Sequence, residues 1–183
     1  MTSLIAIPNN AGPALRYVNS APSTAITNTS SETIFDTVFT LPSQTQYSIQ
    51  PPSLLRLKCW GILSTGLLNL GLTINIRMGG LQGAIIATTG AITLAASLAN
   101  AGWKLEAACL ITSIGAGASM QAQGYCDFSA GALNISGCYM PNSGPLSLNT
   151  LVSNDVVVTA TWSTASASNI IQSMITLAEL HGP

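Results

Sequence analysis

Charge is scarce in this sequence. Five Lys+Arg and six Asp+Glu make up 6% of the 183 residues and leave a formal net charge of −1, whereas ordinary domains carry about 25% charged residues. That excludes a basic nucleic-acid-binding surface, a polybasic helix lying on a membrane and a charge-swollen disordered chain. Histidine is scarcer still. His181 is the only one, and a triad needs an imidazole gripped by its acidic partner, so a residue this close to the end of the chain is expected at the surface. Glu32 and Asp36 fall on one face of a strand; they suit either paired acid–base work or an ordinary solvated face. Glycine-rich pieces such as Gly79-Gly80 and Gly115–Gly117 match neither the phosphate loop nor the dinucleotide pattern. The expectation is no enzyme: no catalytic residue, no cofactor-binding residue and no metal ligand.

The four cysteines, Cys59, Cys109, Cys126 and Cys138, include no closely spaced pair, and one histidine completes no metal cluster. An even count permits two disulfides. Cys59 and Cys109, however, sit inside apolar runs and read as small buried hydrophobes. Aromatic residues are few: three Trp, four Tyr and three Phe. They are too few for the girdles of a transmembrane barrel. No basic region precedes an apolar one at the N-terminus, so no signal peptide is expected.

What the chain has is hydroxyl and hydrocarbon. It holds 21 Ser and 19 Thr, with 48% hydrophobic residues and a mean hydropathy of +0.46. The size suits one domain that buries on the order of 70% of its extended surface. Between Arg77 and Lys104 run 26 uncharged residues, long enough to span a bilayer. Gly79-Gly80, Gln82, Thr88-Thr89-Gly90, Ser97 and Asn100 interrupt them, so strands and loops are expected and no membrane contact.

Residues 1–30 are broken by Pro8, Pro13 and Pro22 and read as an extended N-terminal arm with at most one short strand near Leu15–Val18. From residue 31 to 183 the chain alternates β runs with turns. Leu55, Leu57 and Cys59 oppose Arg56 and Lys58; Leu72, Ile74, Ile76 and Met78 oppose Thr73, Asn75 and Arg77. Period-two alternation marks strands with one buried face. Residues 91–100 fit two helical turns or a strand and loop equally well. Residues 103–112 and 118–128 read as a hairpin about Gly115–Gly117, and further runs follow at 155–163 and 168–180. Seven to nine strands at these spacings predict an all-β sandwich or barrel. Trp60, Trp103 and Trp162 each lie in an apolar run and are expected in the core or a subunit interface.

Three segments carry a resemblance: Ser31–Pro42 leading to Leu55–Gly61; Ala87–Ala96 through Gly102-Trp-Lys-Leu-Glu106; and Val157–Ile171, with its Trp162-Ser-Thr-Ala-Ser-Ala-Ser-Asn169 stretch. Together they resemble a group of small virion proteins of tailed bacteriophages. The resemblance spans roughly residues 30–180 and includes no catalytic motif. It implies a jelly-roll β-sandwich of about eight antiparallel strands, commonly a homotrimer, working as a capsid cement or decoration protein. On that reading the chain sits on the capsid surface of the virion, with the major capsid protein as partner and no nucleic acid or membrane. The arm would drape over neighbouring subunits, and Leu4, Ile5, Ile7, Leu15, Arg16 and Tyr17 are its expected contacts. The alternatives are a tail-fibre or spike receptor-binding module that contacts host surface glycan, and a non-viral carbohydrate-binding or adhesin module.

Overall fold

The computed structural model describes residues 3–6, 15–46, 49–68, 70–129, 137–142 and 144–182, all of them strand, turn or loop. The strands are β1 (Ser3–Ala6), β2 (Leu15–Asn19), β3 (Ile26–Thr27), β4 (Thr33–Leu41), β5 (Ser53–Ser64), β6 (Leu70–Met78), β7 (Ala84–Thr88), β8 (Ile92–Leu94), β9 (Ala101–Ile111), β10 (Ala118–Phe128), β11 (Cys138–Met140), β12 (Leu146–Leu148), β13 (Asn154–Trp162) and β14 (Ile170–His181). They form two antiparallel sheets. The large one has nine strands in the order β1-β2-β14-β5-β9-β10-β11, with β12 beside β10 and β3 beside β14. The small one has five, β4-β13-β6-β7, with β8 beside β6.

The pairing is nested. The strand β2 pairs with β14, β4 with β13, β5 with β9, and β6 with β7. Strands early in the chain thus pair with strands late in it, and the pairs alternate between the two sheets. This is a long hairpin wrapped into a sandwich, the topology of a jelly roll. The expected fold is therefore correct, with β10–β12 inserted as an extension of the large sheet.

Alternation explains why these residues make these strands. Along β5 every second residue, Leu55, Leu57, Cys59 and Leu63 among them, is buried, and Arg56, Lys58 and Trp60 take the opposite face. Across the interlayer space lie Leu72, Ile74, Ile76 and Met78 of β6 and Val156, Val158, Ala160 and Trp162 of β13. The Phe35 and Trp103 rings stack across that layer, 5.3 Å between centroids. Gly61 makes room for Trp103: a Cβ there would stand 2.0 Å from the Gln172 carbonyl oxygen and 2.6 Å from Trp103 Nε1. The indole instead passes over β5 and donates to the carbonyls of Ile62 and Gln172, each at 3.2 Å.

Residues 1–30, read as an extended arm with at most one short strand near Leu15–Val18, carry three short strands: β1 pairs with β2, and β2 and β3 pair with β14. The open edge of β14 draws β2 and β3 into the sheet, and Tyr17 and Ile26 turn into the core. The undecided stretch 91–100 is a strand over Ile92–Leu94, because its backbone completes the ladder on Leu70–Leu72; a turn follows it.

Candidate functional site

The outward face of the large sheet holds the site. Three cross-strand rows define it. Leu54 lies opposite Leu110, which lies opposite Gln121. Arg56 lies opposite Ala108, and Ala108 opposite Gln123. Lys58 lies opposite Glu106, Glu106 opposite Tyr125, and Tyr125 opposite Tyr139. Ala108 is the smallest outward side chain of its row, and the longer chains around it leave a depression. Two adjoining clefts of about 450 and 390 Å³ share Ala108 and Gln123 and form one groove. Asn142 and Gly144 wall one end, and Tyr139 the other.

The wall is anchored. Asn142 Nδ2 donates to the Ile86 carbonyl at 2.9 Å, tying the segment after β11 to β7 in the small sheet. Tyr139 is 79% exposed and meets Tyr125 edge-to-face at 5.5 Å. Gly137 packs on the Tyr125 ring, where a Cβ would collide with the hydroxyl. An amphipathic ring held this way presents a stable apolar surface with a polar tip. Among the described residues, Arg56, Lys58, Glu106, Gln121 and Gln123 make no side-chain hydrogen bond or ion pair within the chain, so their polar groups face the groove and solvent.

The charges outside the groove are engaged. Arg16 Nε lies 3.2 Å from Glu179 Oε1 and Lys104 Nζ 3.9 Å from Asp127 Oδ2. His181 is the last residue of β14; its Nε2 is 3.8 Å from Glu179 Oε2 and has no hydrogen-bond partner. On the outward face of the small sheet, Glu32 accepts from Arg77 Nε at 2.8 Å, Arg77 Nη2 at 2.7 Å and Asn75 Nδ2 at 2.8 Å, with Thr159 Oγ1 as a fourth donor. Arg77 Nη1 also donates to the Gly83 carbonyl at 2.7 Å. The bidentate guanidinium dominates: it holds the Glu32 carboxyl at about 2, against an ordinary value of 4.5, and outweighs the opposing effect of burial. A carboxylate so fully occupied is a clamp across β4, β13 and β6, and no base for catalysis.

The residues singled out in the sequence scatter over this frame. Trp103 and Trp162 are core residues; Trp162 Nε1 donates to the Ile26 carbonyl at 3.3 Å. Trp60 takes the outward face of the large sheet, half-buried, opposite Ile175 and Lys104. Of the expected arm contacts, Leu4 and Ile5 lie in β1, and Ile7 lies outside the described residues. Leu15 begins β2, Arg16 is exposed and ion-paired, and Tyr17 is in the core at 8% exposure. The side chain of Asp36 is likewise outside the described residues. Among the described residues no group of three or more His, Cys, Asp or Glu is placed to hold a metal ion, and no helix is long and apolar enough to cross a membrane.

Sequence reasoning missed the groove and the clamp. The groove depends on Ala108 lying between Arg56 and Gln123, pairings distant in sequence. For the clamp the available signal was Arg77, a charge at mid-alternation in an apolar strand.

Among the described residues, large apolar side chains are exposed at both ends of the sandwich, as well as on the strands at Val18, Ile85 and Ile175. Leu67 and Leu68, 88% and 73% exposed, follow the end of β5. Their loop is fixed at its base: Thr65 N donates to the Leu98 carbonyl at 3.0 Å, Gly66 N to Asn169 Oδ1 at 3.1 Å, and Ser97 N to the Gly66 carbonyl at 2.7 Å. Ile114, Leu151 and Val152 are exposed at the opposite end, where Thr150 N donates to the Gly115 carbonyl at 3.0 Å and Gly115 N donates to Thr150 Oγ1 at 2.7 Å.

No family model and no curated protein matches the chain. Among solved structures, the legume lectin-like domain from Entamoeba histolytica aligns over all of this chain and 88% of that one, with 7% identity and a TM-score of 0.24; similarity this low bears on neither fold nor function.

Proposed function

We propose that this is a structural virion protein: a capsid cement or decoration protein that binds the outer shell as a homotrimer and bridges major capsid proteins without catalysing a reaction. The observation that carries this is the placement of rigid, exposed apolar side chains at both ends of a charge-poor sandwich. Each exposed leucine gains about 2 kcal/mol when a neighbour covers it, and contiguous exposed apolar patches mark interaction surfaces. Weak contacts of this kind become strong when a trimer presents three copies, and closed symmetry halts further growth. The resemblance of residues 30–180 to phage virion proteins points the same way; its segments contain β4 and β8, most of β13 and parts of β5 and β9. Quantitative mass spectrometry of purified particles tests the reading. Hundreds of copies per particle, near the abundance of the shell protein, are expected; absence from particles refutes it.

A second reading, contact with host surface glycan by a tail-fibre or spike protein, is favoured by the groove. Its amide and charged groups carry no internal partner, and Tyr139 offers a ring face. A handful of copies per particle, together with binding on a glycan array that Tyr139→Ala removes, would establish this reading in place of the first.

A further inference from the structure

We propose that Cys126 and Cys138 form a disulfide under oxidising conditions, stapling the edge strand β11 to β10. All four cysteines are free thiols in this structure. Cys126 and Cys138 are direct partners in the β10–β11 register. Opposed residues of an antiparallel pair have Cα atoms about 4.5–5.5 Å apart, inside the roughly 4.4–6.8 Å that a disulfide requires, and their side chains leave the same face of the sheet. The neighbouring pair shows the register carried into the side chains: Tyr125 and Tyr139 touch on the other face. No other cysteine competes. Cys59 and Cys126 both lie opposite Leu105, so β9 stands between them, a separation of about 9–10 Å at two strand spacings. Cys109 lies opposite Leu55 and Ala122.

Cys138 is the partly exposed member, and its Sγ donates to the Thr89 carbonyl at 3.2 Å. Rotation about its χ1 releases that weak bond and turns the sulfur toward Cys126. With oxidised glutathione as the small-molecule disulfide, the Cys138 thiolate attacks one glutathione sulfur, the glutathione S–S bond breaks and one glutathione thiolate leaves. The Cys126 thiolate then attacks Cys138 Sγ in the mixed disulfide and expels the second glutathione. Two protein thiols are oxidised, one glutathione disulfide is reduced, and the two protons end on the two glutathione thiols. Burial raises both protein thiols above their ordinary range, so the reaction is slow and proceeds by opening of the three-residue strand β11. A protein folded in a reducing cytosol therefore keeps both thiols, and one held in an oxidising medium acquires the staple, which fixes the Tyr139 wall of the groove. This holds whichever function the groove serves.

The experiment uses the full chain, reduced and then incubated with oxidised glutathione, followed by alkylation, intact mass measurement and peptide mapping. A monomer lighter by two hydrogens is expected, with the Cys126 and Cys138 peptides linked and the Tm raised by about 5 °C. Cys138→Ser should lose the linkage and remain folded, because that thiol is partly exposed; Cys59→Ser should keep it. A stable glutathione adduct without closure, a bridge to Cys59 or Cys109, an intermolecular bridge, or full alkylation of both thiols would each overturn the proposal.

Discussion

Removing the charge of Glu32 isolates what one residue contributes. Its carboxyl sits at about 2 in the folded chain and 4.5 as an ordinary carboxylate. A depressed folded value contributes stability that is fully present above 4.5 and is lost as pH falls through that window toward 2. The size is on the order of 3 kcal/mol for this half-buried pair. Urea midpoints at pH 6 and pH 3 should differ for the native chain, and Glu32→Gln should flatten that difference. Gly61 is a second decisive residue. Gly61→Ala drives a methyl into the Gln172 carbonyl and the Trp103 indole, and should cost about 3 kcal/mol, measured as a drop in denaturation midpoint with loss of Trp103 burial by fluorescence. The inward position of Gly61 was legible from its place between Cys59 and Leu63. Its necessity was not, because the conflict comes from a tryptophan on another strand. Asn75 and Arg77 were legible as outward residues, yet their burial required Glu32, 43 and 45 positions away.

Elements of nine or more residues could be read from the sequence because each repeats its alternation several times. That is why the inner faces of β5 and β6 follow the expected pattern. Three-residue strands such as β11 and β12 repeat it once, too little for alternation to mark them as strands. The strands β1 and β2 obey a further rule: their sequence is weak, and their ladders come from neighbours, β14 for β2 and β2 in turn for the edge strand β1. Truncation before Leu15 leaves β2 in place. Truncation through Ser20 removes its five pairings with β14 and the buried Tyr17. The longer truncation should therefore lower the thermal midpoint well below the shorter one in a calorimetric scan. At the tip after β5, Leu67→Asp with Leu68→Asp should change stability by less than about 0.5 kcal/mol, because these side chains are mostly exposed to solvent. The same double variant should lose attachment to purified particles in a co-sedimentation assay.

At the scale of the molecule, the sequence indicated a sandwich through turn spacing, and the jelly-roll order through resemblance alone. Strand order is a property of pairings between distant segments, and periodicity carries no trace of it. Sedimentation equilibrium should give a mass three times that of the chain if the trimer forms without the particle. The nested order also bears on synthesis. The strand β14 lies between β2 and β5 at the middle of the large sheet, although it is the last of the fourteen to be made. Until it emerges from the ribosome, β2 and β5 have no shared neighbour and present open hydrogen-bonding edges. The large sheet is thus completed only after residue 181 has been translated, and pairings across such long stretches of sequence are slow to form. Open edges of this kind invite pairing with other chains, and the late arrival of β14 is the step that closes them.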